Sequence, residues 1–103
     1  MADWIEVAKV DAIGPRGLEV QLGEEPVLLV RKGSEVFALH GICSHQDMEL
    51  AGGYAEGPAW VCPHHGAKFD LKSGEAAGMP AVEGIPVYPV RVEGGVVFLR
   101  EPA

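Results

Sequence analysis

Fourteen glycines and eight prolines, about a fifth of the 103-residue chain, are spread along its whole length. Glycine weakens a helix interior and proline breaks it, so the spacing leaves few stretches that could hold a useful helix. The longest are residues 1–13 and 42–51. In the first, Trp4, Ile5, Val7 and Val10 make no clean helical stripe, and the β-branched content favours a strand. The second has room for a short helical turn at most. Short alternating segments account for the rest, with strands expected over residues 4–10, 18–22, 27–31 and 35–39. Their separators, Gly14-Pro15-Arg16-Gly17, Gly23-Glu24-Glu25-Pro26 and Lys32-Gly33-Ser34, are turn chemistry. Residues 87–92 and 96–100 flank Glu93-Gly94-Gly95, a hairpin signal, and Pro89 demotes the first of these to an edge strand. The expectation is an all-β chain forming one domain over residues 1–103. Its base is an antiparallel sandwich or barrel, interrupted by a loop-rich excursion over residues 41–80. Loops that long are usually functional.

Composition narrows the function. Hydrophobic residues at 48% and charged residues at 22% fit a globule with a core rather than a disordered chain. Eight Lys and Arg against fifteen Asp and Glu give a net charge of −7, which argues against nucleic acid or an anionic membrane as a partner. No run approaches the ~18 apolar residues of a membrane span. The opening residues Met1 to Glu6 lack the basic and then apolar regions of a signal peptide, so a cytoplasmic, reducing location is expected. Two cysteines, Cys43 and Cys62, are too few for a disulfide scaffold. Neither a glycine-rich nucleotide loop nor a Gly-x-Ser-x-Gly elbow is present.

Both cysteines and three of the four histidines fall in the excursion. Cys43-Ser44-His45 is followed, after sixteen residues, by Cys62-Pro63-His64-His65. Two thiolates and two imidazoles, paired on two short loops, can converge on one centre if the chain doubles back between them. The atoms alone leave several readings open. They suit a tetrahedral zinc site, a Cys43–Cys62 disulfide or a Cys–His nucleophile, although no oxyanion or substrate motif accompanies the last.

The pattern Cys-x-His and Cys-x-x-His, with Gly66 after the second pair, resembles the cluster-binding signature of Rieske iron–sulfur proteins. The similarity continues through Ala67-Lys68-Phe69-Asp70 and Ser73-Gly74, and Met79-Pro80 resembles the family's proline loop, which covers the cluster. The order of flanking strands also matches. The resemblance implies a Rieske fold with a cluster-binding subdomain of about residues 41–80 and one [2Fe–2S] cluster per chain. It implies Cys43 and Cys62 on one iron, and His45 and His65 on the other. Two ferric irons, two sulfides and two thiolates sum to zero, where four thiolates would give minus two. The less negative cluster accepts an electron more readily.

The resemblance implies a soluble one-electron carrier, not itself an enzyme, that passes electrons from a flavin-dependent reductase to a terminal oxygenase. A small subunit of a nitrite reductase is the alternative within electron transfer, and a structural zinc-binding module is the alternative from another class. Respiratory-chain members carry two further cysteines in a bracing disulfide, and this chain has neither. They also carry a Ser after His-Gly and a Tyr two residues later, whose hydroxyls bond the cluster and a ligand sulfur. Here those positions are Ala67 and Phe69, so a potential low for the class is expected. His64 lies beside a ligand but fits neither ligand position and reads as an exposed loop histidine, and His40, ending an expected strand, reads as structural. Trp60 and Phe69 read as packing. Asp47, Glu49 and Glu56 make the excursion acidic, either as a solvated face or as a docking face for a basic partner.

Overall fold

A computed structural model describes residues 4–42, 49–63, 66–78 and 84–101. Ten strands, β1 Ile5–Lys9, β2 Leu18–Leu22, β3 Glu25–Lys32, β4 Glu35–His40, β5 Tyr54–Glu56, β6 Ala59–Val61, β7 Lys68–Asp70, β8 Ala76–Gly78, β9 Val90–Glu93 and β10 Val96–Leu99, build three antiparallel sheets. The first has the order β1-β10-β9, the second β2-β3-β4 and the third β5-β6-β7-β8. A single 3₁₀ turn, Val10–Ala12, is the only helical element among the described residues. None of the described helices is long and apolar enough to cross a membrane.

The second sheet is the middle layer, and β3 shows why. Val27, Leu28, Leu29 and Val30 are all buried, in an unbroken apolar run. Strand side chains alternate between faces. Leu28 and Val30 therefore pack with Leu39, Trp60, Phe69 and Cys62 against the third sheet. Val27 and Leu29 pack with Leu22, Ala38, Val97 and Leu99 against the first. A strand covered on both sides by apolar neighbours reads as a continuous hydrophobic run rather than an alternation. Each such buried side chain contributes about 1.5–3 kcal/mol.

Two expectations are revised. Residues 87–92 do not form one strand. Val87 bridges Leu39, and Tyr88 N–H donates to the Ala38 carbonyl at 2.9 Å, both on the outer edge of β4. Pro89 has no N–H to continue that ladder, and the chain crosses to the first sheet, where β9 begins at Val90 and takes the edge beside β10. The second revision concerns the excursion, which carries a four-stranded sheet within its loops. Each of its strands is only three residues long, too short for an alternation to show in sequence.

Candidate metal centre

Of the four ligand candidates, Cys62 lies among the described residues. Cys43, His45 and His65 lie outside them, as do His64, Asp47 and Met79-Pro80. The stems that hold the two ligand loops are nevertheless defined. The first loop leaves β4 after His40 and is closed at its base by an antiparallel bridge between Ile42 and Glu49. Leu50 N–H, donating to the Gly41 carbonyl at 2.9 Å, seals the same stem. The second loop joins β6 to β7. Cys62 N–H donates to the Ala67 carbonyl at 2.7 Å, and Gly66 N–H returns to the Cys62 carbonyl at 3.1 Å. The chain enters this loop at Cys62 itself, directly after Val61 of β6.

The two stems are held side by side. The indole N–H of Trp60 donates to the Leu50 carbonyl at 2.8 Å, and Gly53 N–H reaches the same carbonyl at 3.3 Å. Gly53 lies so close to the second stem that an added Cβ would sit 2.0 Å from the Val61 carbonyl oxygen and 3.2 Å from Pro63 Cδ. No side chain fits there. β5 then pairs with β6, Tyr54 opposite Val61. A third connection starts from the same end, because Gly78 at the end of β8 pairs with Lys68 at the start of β7. Residues 79–83 follow it.

Cys62 is 3% exposed and shares one apolar cluster with Leu50, Trp60, Ala67 and Phe69. A thiolate surrounded by apolar side chains is costly unless a cation neutralises it, and a metal does so. Ala67 and Phe69, both fully buried, offer no hydroxyl to that thiolate. On the rim, Lys68 and Glu56 form an ion pair at 2.6 Å, so Glu56 is not a free negative charge. That hydrogen bond, foremost, and the carboxylate charge raise the Lys68 pKa. Glu19 on β2 faces Glu49 at the base of the first loop. Partial burial, foremost, and the Glu49 charge push its carboxyl upward.

His40 has a structural role, with Nε2 2.9 Å from Glu25 Oε2. Glu25, expected in a solvated turn, is exposed but stands as the first residue of β3, where it pairs with His40. Trp60 and Phe69 are packing residues, as their sequence context implied. Sequence reasoning missed the contribution of Gly53, Leu50 and Arg16 to the stems. Arg16 Nη1 donates to the Gly52 carbonyl across 36 residues of sequence. A lone arginine in a turn carries no local signal of such a contact.

A β domain that holds the stems of two Cys/His loops side by side, with a buried thiol at one of them, suits a metal centre. The sequence model of the Rieske [2Fe-2S] domain matches residues 3–89. The chain belongs to that family. It is 40% identical over 90 residues to the 3-phenylpropionate/cinnamic acid dioxygenase ferredoxin subunit of Escherichia coli K12, with 85% of each chain covered. The solved ferredoxin of Sphingomonas yanoikuyae B1 matches with a TM-score of 0.88 at 27% identity, over 97% of this chain and 100% of that one. A chain in a complex of reduced oxygenase and oxidised ferredoxin of carbazole 1,9a-dioxygenase matches with a TM-score of 0.82 at 28% identity. That match covers 93% of this chain and 91% of the other.

The protein is thus a Rieske-type electron-transfer component, and one [2Fe–2S] cluster per chain is its cofactor. The residues present fit that group: the cysteine sits buried at a loop base, and the stems of the two Cys/His loops touch. Family membership removes the structural zinc module as a reading of the same atoms.

Proposed function

We propose that Cys43 and Cys62 hold one iron of the cluster and His45 and His65 the other, within a cluster-binding part of about residues 41–80 in a single domain spanning 1–103. The observation that supports this most directly is the packing of the Gly53 backbone onto the Val61–Pro63 stem. It brings the base of the Cys43/His45 loop against the base of the Cys62/His65 loop.

When bound, the cluster supplies a centre that takes up and releases one electron, at a potential above that of four-thiolate clusters. The chain's own residues do the rest. Cys62 presents its thiolate from a stem fixed by the Ala67 and Gly66 backbone bonds. Leu50, Trp60, Ala67 and Phe69 keep water from the inner side, which limits solvent reorganisation. The stems of both loops meet beside β6 of the third sheet, where Trp60 and Gly53 join them.

The partners proposed are a flavin-dependent reductase as donor and a terminal oxygenase as acceptor, in the cytoplasm. The carbazole complex of an oxygenase with its ferredoxin supports the second by similarity. Purified protein is expected to be red-brown, with two irons and two sulfides per chain. Its reduced form is expected to give an EPR signal with an average g value below that of the free electron. Colourless protein with one zinc would refute this assignment. Mixing reduced protein with a substrate-loaded oxygenase should reoxidise it rapidly. Reoxidation by a nitrite reductase large subunit, and not by the oxygenase, would favour the nitrite reductase alternative.

A further inference from the structure

The connection before β2 reaches across to the metal end of the molecule. Arg16 Nη1 donates to the Gly52 carbonyl at 2.9 Å, and Gly52 N–H donates back to the Arg16 carbonyl at 3.0 Å. The next residue, Gly17, sits with φ +77° against the core, where a Cβ would come within 2.6 Å of Leu28 Cδ1 and 3.2 Å of Trp60 Cη2. The turn is therefore pressed onto the same Trp60 that holds Leu50. We propose that Arg16 is a positioning residue for the two ligand loops, an inference that rests on the ligand assignment above.

Residues 50–53 are the strap that leaves the first loop. On one side the strap meets the second stem, through Gly53 against Val61 and Pro63. On the other, Gly52 is gripped by the reciprocal bonds with Arg16, while Leu50 at the start of the strap bonds the Gly41 carbonyl. Losing the Arg16 side-chain bond loosens the strap at Gly52, and with it the contact of Gly53 with the stem of the Cys62/His65 loop. The guanidinium also brings a positive charge to the shoulder of the site in a chain of net charge −7. A cation there favours the more negative, reduced state. Arg16 therefore acts on both the retention of the cluster and its potential.

The test uses the cluster-loaded protein and its Arg16→Ala and Arg16→Lys variants. Arg31→Ala serves as control, because Arg31, paired with Asp11 of the 3₁₀ turn at 3.8 Å, lies toward the opposite end of the β3–β4 ladder from His40, where the first loop leaves. The readouts are the rate at which a strong chelator bleaches the visible spectrum and the midpoint potential by film voltammetry. Arg16→Ala should bleach about fivefold faster, the factor that one lost hydrogen bond gives, and its midpoint should fall. Arg16→Lys, which keeps a donor and the charge, should recover most of both effects, and Arg31→Ala should match wild type. Wild-type rate and potential in Arg16→Ala, beside a red wild-type protein, would overturn the inference alone. A wild-type protein that holds no iron would overturn the ligand assignment instead.

Discussion

The indole N–H of Trp60 and the carbonyl of Leu50, 2.8 Å apart, tie the strand that leads into Cys62 to the segment that follows the first loop. Leu50 is fully buried and Trp60 is 1% exposed, so water cannot replace the bond. Trp60→Phe keeps most of the apolar area and deletes the donor. The loss expected is about 1–3 kcal/mol of unfolding free energy, from the missing hydrogen bond and the space left by the smaller ring. Urea unfolding of the variant measures it, and an unchanged midpoint would show that the bond contributes nothing to stability.

The ligand split makes a charge prediction. Replacing His45 or His65 by Cys, where a cluster still assembles, adds a negative ligand. The potential should move toward the plant-type value of about −400 mV. An unchanged potential would show that the replaced histidine is not a ligand.

Ala67 and Phe69 bear on where the native potential lies. Neither offers a hydroxyl, and both are fully buried in the cluster of side chains around Cys62. The native midpoint is expected near the lower end of the Rieske range, around −150 mV. Taking about 1 kcal/mol of redox difference per hydroxyl bond, Ala67→Ser with Phe69→Tyr should raise the midpoint by ~80 mV. Burial sharpens the test, because a hydroxyl placed there without an acceptor destabilises the fold by about 1–3 kcal/mol. A double variant with its cluster intact and its midpoint unmoved would show that neither hydroxyl reaches sulfur.

Asp70 gives the fold a pH dependence of its own. Its Oδ1 accepts the backbone N–H groups of Lys72 at 2.9 Å and Ser73 at 3.0 Å, closing the turn after β7. The Ser73 bond, and then the Lys72 bond, hold its carboxyl below the ordinary value of 3.8. A carboxylate depressed in the folded state stabilises above its unfolded pKa, and the contribution is lost as pH falls through the folded value. The stability gap between wild type and Asp70→Ala should therefore be complete at neutral pH and close below pH 3.8. Urea midpoints measured across that range read it directly. A gap independent of pH would mean that the Asp70 charge takes no part in the turn.

The sequence showed the strands of the base well, since Leu18–Leu22 alternates, Glu35–His40 holds a short apolar run, and both are bounded by glycines. β3 extends two residues further back than expected, through Glu25 and Pro26. Proline is tolerated there because it stands at the strand's start, before the pairing of β3 with β4 begins at Val27. The third sheet was invisible, because three-residue strands carry too few side chains to show a period. At the site, residue types and spacing named the ligand candidates, whereas the forces that press the stems together come from distant partners. Arg16 with Gly52 and Trp60 with Leu50 are pairings that only the folded chain brings together.

Leu28 and Val30 point into one hydrophobic core while Val27 and Leu29 point into the other, and Leu39 and Ala38 of β4 divide in the same way, so β3 and β4 form the common wall of both. Unzipping either core strips one face of β3 and leaves the other core with an exposed back. The two cores are thereby expected to melt in one calorimetric transition. Thermal motion that loosens the base would reach the electron-carrying end without any linker to absorb it. A carrier that docks with a redox partner gains from a stiff base, since little entropy of the base is lost on contact.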